Sequence, residues 1–209
     1  MNKILEIVKC ITQDREPSHD FYHIMRVIQN AQNIGKKENA DLEILFYSAL
    51  LHDVVVYKKN NYSKDNGSNE SARFAEILLN EYNQLDKDKI KLICYAIKVH
   101  SFKKKLIPKT LEAKILQDAD RIDALGAIGI ARLFSVCGSE NRKFYHMTDP
   151  FYKTERKLDD IKFGLDHFFK KILLLEDTMH TKTGKEIARR RTKFVKKYLN
   201  EFEDQLHEY

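Results

Sequence analysis

Two histidines and two aspartates lie where they would project from the apolar faces of three separate helices. His52 and Asp53 occupy the middle of the apolar stretch SALLHDVVVY at residues 48–57. Burying two ionisable side chains there costs free energy unless another group compensates them. His23 and Asp120 each lie four residues from an apolar residue of another predicted helix, and positions four apart share a helical face. The sequence therefore predicts that all four side chains point toward the interior.

This donor set of two imidazoles and two carboxylates suits a divalent metal ion. Mixed nitrogen and oxygen ligation fits Mn, Fe, Co, Ni or Mg better than an ion that prefers thiolates. A cation would offset the carboxylate charge and keep the imidazoles neutral. Four ligands would also leave positions open for activating water or polarising a phosphoryl oxygen. The alternative is a buried, hydrogen-bonded His–Asp pair that holds no metal.

The order of the set is informative as well. His23 comes first, the His52–Asp53 pair follows 29 residues later, and Asp120 comes 67 residues after the pair. This order is the signature of the HD-domain metal-dependent phosphohydrolases, which the chain resembles. The blocks that carry the resemblance are SHDFYHIMRV (18–27), SALLHDVV (48–55), NESA (69–72), EAKILQDADRIDALGAIGIAR (112–132) and HFFKKILLLEDTMHTKTGKEIARRR (167–191). They look like the bacterial YpgQ/YedJ-like nucleotide pyrophosphohydrolase branch and span nearly the whole chain.

The resemblance implies a fold, a cofactor and a reaction. The fold is the all-α HD-domain helical bundle, and the implied metal ligands are His23, His52, Asp53 and Asp120. The implied cofactor is a divalent ion, Mn before Mg, Ni, Co or Fe. The branch includes enzymes that split (deoxy)nucleoside triphosphates into monophosphate and pyrophosphate. Two alternatives stay open: an HD phosphomonoesterase or phosphodiesterase, and a non-catalytic nucleotide- or nucleic-acid-binding module.

The acid–base group of the reaction has no clear candidate in the sequence. Some HD nucleotidases carry an acidic residue just after the HD pair, but here VVVY follows at residues 54–57. The nearest acidic candidates for a catalytic role are Asp65 and Glu70, in or just after a polar loop over residues 57–69.

Basic side chains beside the ligand-bearing segments are candidates for binding an anionic substrate. Arg26 lies one helical turn after the first ligand, Lys58 opens the polar loop, His100 ends a predicted helix and Arg121 directly follows the last ligand. For each of them, simple exposure to solvent is the competing explanation.

Three further polar residues lie one turn or less from a proposed ligand. His19 and Asp20 precede the first ligand, and Asp123 follows the last one by three residues. We predict that they orient ligands as hydrogen-bond partners. Alternatively, Ser18 or Asp20 caps the helix that follows, and Asp123 forms a salt bridge.

Composition bounds the class of protein. Of the 209 residues 43% are hydrophobic and 33% charged, and only 7 Gly and 3 Pro interrupt them, which favours long helices. The formal net charge of +6 fits an anionic small-molecule ligand. No apolar run is long enough to predict a membrane span. Three widely separated cysteines, Cys10, Cys94 and Cys137, indicate a reducing, cytoplasmic setting.

We predict one all-α domain over residues 1–209, as a monomer or homodimer. Its metal-binding core covers about 18–135, and C-terminal helices over about 155–206 pack on that core. The apolar periodicity predicts continuous helices over 110–135 and 155–175. Residues 182–197 contain eight basic residues, but an apolar stripe runs along the same helix. A packed helix with a solvated basic face explains this pattern, so nucleic acid is not an expected partner.

Overall fold

Helices dominate the chain. The computed structural model describes residues 3–56, 66–82, 85–154 and 156–207. The α-helices span Lys3–Thr12 (α1), Phe21–Glu38 (α2), Leu42–Leu51 (α3), Gly67–Tyr82 (α4), Lys87–Val99 (α5), Leu111–Asp123 (α6), Gly126–Ser139 (α7), Gly164–Lys170 (α8) and Lys182–His207 (α9). Within these described ranges the β-structure is one isolated bridge, between Lys143 and Phe163. The predicted all-α fold is confirmed.

The chain forms two compact units, Met1–Arg121 and Ile122–Tyr209. The prediction of a single domain over residues 1–209 stays a prediction.

In the first unit, helix α2 packs on α3, and α5 contacts both α3 and α4. The side chains of Ile24 and Val27 on α2 are fully buried, as are Leu45 and Leu50 on α3. The three-residue spacing of Ile24 and Val27 places both on the inner side of α2. Helix α3 is instead buried on most of its sides. The first unit thus has an aliphatic core formed by the same helices that carry the predicted ligands.

The predicted continuous helix over 110–135 is wrong, because α6 ends at Asp123 and α7 begins at Gly126. Gly126 has a φ of 75°, a conformation that L side chains rarely adopt. A Cβ atom on Gly129 would lie 2.2 Å from the carbonyl oxygen of Ala124. The two glycines are therefore required by the tight turn into α7, which apolar periodicity does not reveal.

The predicted helix over 155–175 is also wrong in its first half. Among the described residues of this range, which begin at residue 156, only Gly164–Lys170 is α-helical, and two short 3-10 turns follow it. The buried carboxylate of Asp166 accepts hydrogen bonds from the guanidinium of Arg156 at 2.7 and 2.6 Å and from the backbone N–H of Asp159 at 2.7 Å. These bonds hold the preceding segment as a loop folded against the start of α8.

No single helix within the described ranges is long and apolar enough to cross a bilayer. Helices α6 and α7 reach that length and composition only when they are taken together across the break between them.

Candidate metal centre

His23 lies in the first turn of α2 and is fully buried. The side chain of Asp20 caps this helix by accepting a hydrogen bond from the backbone N–H of His23 at 2.8 Å. The Nε2 atom of His23 lies 3.7 Å from Oδ1 of Asp120 and 3.9 Å from Oδ2 of Asp53. The first imidazole therefore faces both carboxylates.

His52 is the C-cap of α3 and is also fully buried. Its Nδ1 atom lies 2.7 Å from the carbonyl oxygen of Ala49, to which it donates a hydrogen bond. This bond leaves Nε2 as the unprotonated nitrogen of the neutral ring. Nε2 lies 3.7 Å from Oδ2 of Asp53 and 4.0 Å from Oδ1 of Asp120, and has no hydrogen-bond partner among the described residues. A buried lone pair in this position is suited to a metal ion.

The two carboxylates form the open side of the cluster. Asp53 follows the C-cap of α3, and Asp120 lies on α6. Their side chains are 20% and 26% exposed, whereas the side chains of His23 and His52 are 1% and 0% exposed. A ligand from solvent would therefore approach on the carboxylate side.

His100 is a fifth member of the cluster. It is the C-cap of α5, and its Nδ1 atom donates a hydrogen bond to the carbonyl oxygen of Ile97 at 2.6 Å. Its Nε2 atom lies 3.4 Å from Oδ1 of Asp53. The sequence predicts a substrate-binding role for His100. Its position beside a carboxylate of the centre is compatible with that role, which stays a prediction.

These residues form two triads that share one histidine. In the first, His23, His52 and Asp120 each offer a ligand atom within 4.8 Å of the others, and the second consists of His52, Asp53 and His100. The donors are imidazole nitrogens and carboxylate oxygens, without a thiolate. The set therefore fits a divalent ion of the Mn, Fe, Co, Ni or Mg type.

The protonation states also fit a cation. Burial lowers the pKa of His52 to about 4, so this ring is neutral at pH 7. Burial alone would raise the pKa of Asp53, but His52 and a hydrogen bond from His100 hold it well below its ordinary value. Burial likewise opposes ionisation of Asp120, yet His52 and His23 lower its pKa. The cluster thus presents anionic oxygens beside a neutral ring nitrogen, as metal binding requires.

Two polar contacts on the Asp53 segment are absent from the sequence-based predictions. The guanidinium of Arg15 donates to the carbonyl oxygens of Asp53 and Val54. The hydroxyl of Ser71 on α4 contacts the backbone of Val55. These are side-chain bonds to irregular backbone across long sequence separations, and helical periodicity carries no signal for them.

The residues predicted to orient ligands occupy different positions. The side chain of Asp20 caps α2 by accepting a hydrogen bond from the backbone N–H of His23, as the alternative prediction for this residue stated. His19 has its ring centroid 6.0 Å from that of His23, and its Nδ1 lies 3.3 Å from a carboxylate oxygen of Glu16. Asp123 accepts a hydrogen bond from Arg132 at 2.7 Å. The roles of His19 and Asp123 toward the centre stay predictions.

The predicted substrate-binding arginines are half-buried or buried. Arg26 lines a surface pocket along α2 together with Tyr22 and Met25. Arg121 donates to Gln117, and its guanidinium lies 5.5 Å from the ring centroid of Phe102. Their contacts with substrate stay predictions.

Glu70 is half-buried in the first turn of α4. Lys58 and Asp65 lie outside the described residues. The catalytic roles of Glu70 and Asp65, and the substrate-binding role of Lys58, stay predictions.

Comparison with known proteins matches this arrangement to one family. The HD domain family matches residues 20–125, a segment that contains the whole cluster. This chain belongs to the HD domain family.

Similar proteins are found over nearly the full length of the chain. The chain is 33% identical over 205 residues to the protein YpgQ of Bacillus subtilis (strain 168), covering 94% of this chain and 88% of YpgQ. The crystal structure of B. subtilis YpgQ in complex with ADP matches with a TM-score of 0.73 at 32% identity, over 97% of this chain and 93% of that one. An HD-superfamily hydrolase from Bacillus thuringiensis matches with a TM-score of 0.71 at 31% identity, over 98% and 95% of the two chains. The chain is an HD-superfamily hydrolase of the metal-dependent phosphohydrolase class.

Proposed function

We propose that this HD-domain protein is a nucleoside triphosphate pyrophosphohydrolase, with His23, His52, Asp53 and Asp120 holding a divalent cation. The observation that carries the proposal is the meeting of these four side chains, with nitrogen-to-oxygen distances of 3.7 to 4.0 Å. The expected ion is Mn, with Mg, Ni, Co and Fe as the alternatives.

The reaction consumes one water molecule and breaks one phosphoric anhydride bond. Attack of the water oxygen on the α-phosphorus of a nucleoside triphosphate yields the monophosphate and pyrophosphate. The cation, when bound, lowers the pKa of water and polarises a phosphoryl oxygen. His52 contributes a ring held in one tautomer by its bond to Ala49. The partly exposed carboxylates of Asp53 and Asp120 leave the site open toward the substrate.

The proposed substrate is anionic, and basic groups of this chain are suited to bind it. The imidazole of His100 lies beside Asp53 at the edge of the cluster. A 3-10 turn over Phe102–Lys104 follows it with two lysines, and Lys104 donates a hydrogen bond to Asn69 at 2.9 Å. We propose that this turn, together with Arg26, faces the phosphates. The ADP in the YpgQ crystal supports a nucleotide as the ligand class.

A panel assay tests the reaction. Purified protein with Mn²⁺ is incubated with ribo- and deoxyribonucleoside mono-, di- and triphosphates, and the nucleotide products, pyrophosphate and inorganic phosphate are measured separately. We expect equimolar monophosphate and pyrophosphate. Release of inorganic phosphate from mono- or diphosphates would favour the phosphomonoesterase alternative. Bound metal with no product from any nucleotide would contradict the proposal and favour a binding module.

The three cysteines fit the proposed cytoplasmic setting. Cys10, Cys94 and Cys137 are all free thiols, and burial raises the pKa of Cys94 to about 11. Thiols persist where the environment is reducing. We propose a cytoplasmic enzyme that acts as a monomer or homodimer without nucleic acid.

A further inference from the structure

Asp53 differs from the other three proposed ligands in how its backbone is held. His23 and Asp120 lie within the hydrogen-bonded turns of α2 and α6, and His52 is the C-cap of α3. Asp53 lies one residue beyond that cap, where the regular helical bonding has ended. The last carbonyl groups of a helix have no partner within it. A local bond from the backbone N–H of Val54 to the carbonyl oxygen of Leu51 continues the turn, but the carbonyl oxygen of Asp53 is bonded by another part of the chain.

Arg15 supplies two bonds to this segment from the turn that follows α1. Its Nη1 atom donates to the carbonyl oxygen of Asp53 at 2.6 Å, and its Nη2 atom donates to that of Val54 at 2.7 Å. A guanidinium is a rigid planar fork, so two bonds to successive carbonyls fix one orientation of both peptide groups. Its positive charge also suits the carbonyl end of a helix.

Ser71 of α4 holds the next residue. Its hydroxyl oxygen accepts a hydrogen bond from the backbone N–H of Val55 at 3.0 Å and lies 3.3 Å from the carbonyl oxygen of the same residue. Three successive residues, 53 to 55, are thus bonded by side chains from two distant segments. The Arg15 fork is the part of this arrangement that contacts the ligand residue itself.

We propose that Arg15 is a positioning residue for the metal centre. By fixing the peptide groups of Asp53 and Val54, its guanidinium holds the Asp53 carboxylate toward the imidazoles of His23 and His52. Arg15 does not touch the cation and acts only through Asp53. The inference rests on the proposed metal site, and it does not depend on which nucleotide is hydrolysed.

The contrasting explanation is that Arg15 only fastens the turn after α1 to the rest of the first unit. In that case its removal would lower the thermal stability of the protein and leave the affinity for the metal unchanged. Lysine separates the two explanations, because Arg15→Lys keeps the positive charge and the aliphatic stem but loses the two-pronged contact.

The test measures Mn²⁺ binding to metal-free protein by calorimetry, beside thermal unfolding. The matched control is Arg73→Lys, since Arg73 is an exposed arginine on α4 of the same unit. We expect Arg15→Lys to weaken Mn²⁺ binding by about 10- to 100-fold, the usual effect of losing a group that orients a ligand. We expect Arg73→Lys to bind Mn²⁺ as the wild type does.

Chemical rescue gives a second readout. In Arg15→Ala, millimolar guanidinium ion can enter the vacated space and restore part of the lost Mn²⁺ affinity. A variant that is merely destabilised would regain no Mn²⁺ affinity, because millimolar guanidinium changes the free energy of unfolding very little.

The outcomes distinguish this inference from the metal site on which it rests. Wild-type protein that binds no divalent ion would overturn both. Wild-type protein that binds Mn²⁺, with Arg15→Lys binding as tightly as Arg73→Lys, would overturn the role of Arg15 alone. Weakened binding by Arg15→Lys with partial rescue of Arg15→Ala would establish it.

Discussion

At the scale of single residues, the candidate centre is a balance between burial and charge. Burial favours the neutral form of each group, which is why the pKa of His52 falls to about 4. The carboxylates of Asp53 and Asp120 stay ionised because imidazoles stand beside them, although the charge of Asp53 opposes the lowering of the pKa of Asp120. Without a cation, two negative charges therefore share a largely buried site. A divalent ion would remove this repulsion.

This balance predicts how Asp120→Asn changes thermal stability with and without metal. Metal-free Asp120→Asn should be no more stable than metal-free wild type, because the neighbouring imidazoles lower the pKa of Asp120 and its ionised form therefore favours the folded state. Added Mn²⁺ should raise the melting temperature of the wild type and leave that of the variant unchanged, since only a bound ligand stabilises the folded state. Melting curves with and without Mn²⁺ check both expectations.

The control for this experiment is Asp88→Asn, because Asp88 is an exposed carboxylate paired with Lys91. It should gain as much stability from Mn²⁺ as the wild type does. A Mn²⁺-dependent rise in Asp120→Asn equal to that of the wild type would show that the ion binds elsewhere.

At the scale of elements, short irregular connections determine where the helices end. The turn between α6 and α7 needs Gly126 at positive φ and Gly129 without a side chain. The loop before α8 is held by the buried Asp166 and its partner Arg156. Both connections depend on single residues, so it can be predicted whether a substitution there raises or lowers the stability of the protein.

Gly129→Ala should destabilise the protein. The new Cβ atom would lie 2.2 Å from the carbonyl oxygen of Ala124, which is backbone and cannot rotate away. Overpacking of this kind costs about 1–3 kcal/mol or more. Urea unfolding measures the loss.

Gly138→Ala in the same helix is the matched control for Gly129→Ala. A Cβ atom on Gly138 meets nothing within 4 Å. Alanine also has a higher helix propensity than glycine, by about 1 kcal/mol in a helix interior. A variant pair with equal stability would contradict the steric argument.

The ion pairs around Asp160 predict a pH dependence. Partial burial alone would raise the pKa of Asp160, but hydrogen bonds from Lys170 and His167 lower it to about 2. A carboxyl group with a lowered folded pKa stabilises the folded state above its unfolded pKa of about 4. That contribution is lost as the pH falls from about 4 toward 2.

Asp160→Asn should therefore be less stable than the wild type at pH 7. The expected loss is only about 1 kcal/mol, because solvent screens the partly exposed ion pairs. The difference should shrink below pH 4, as followed by urea unfolding at several pH values. Asp204→Asn, which removes an exposed carboxylate from α9, should show no such trend. If Asp160→Asn and the wild type differ in stability by the same amount at pH 3 and at pH 7, the lowered pKa of Asp160 is refuted.

At the scale of the whole molecule, net charge affects how the substrate reaches the site. The chain carries a formal net charge of +6, and the proposed substrate is a polyanion. The field of a cationic protein raises the rate of encounter with an anion, and salt screens that field. The net charge therefore changes the rate of substrate association more than the rate of the chemical step.

We therefore expect kcat/KM for a nucleoside triphosphate to fall several-fold when NaCl is raised from about 50 mM to about 500 mM, where the Debye length shortens from above 10 Å to a few Å. The value of kcat itself should change little, which serves as the internal control. A kcat that falls in parallel with kcat/KM would indicate that salt displaces the cation or unfolds the protein.

Much of the fold and of the candidate centre could be predicted from local patterns. Helical spacing predicts that His23, His52, Asp53 and Asp120 point inward, and the structure brings them together. The break after Asp123 could not be predicted, because small and apolar residues continue the helical period straight through it. The absence of an acidic residue after the HD pair also left the acid–base group open.

The sequence by itself determined the class of fold, the chemical types of the donors and their order along the chain, because these follow from residue identity and from periodicities of a few residues. Only the tertiary structure decided which nitrogen faces which oxygen, which imidazole is neutral, and that Arg15 bonds the backbone of Asp53 across 38 residues. The physical reason is the distance along the chain over which each property is determined. Helix formation depends on neighbours within one or two turns, whereas burial, pKa and bonds to irregular backbone depend on residues that meet only after the chain has folded.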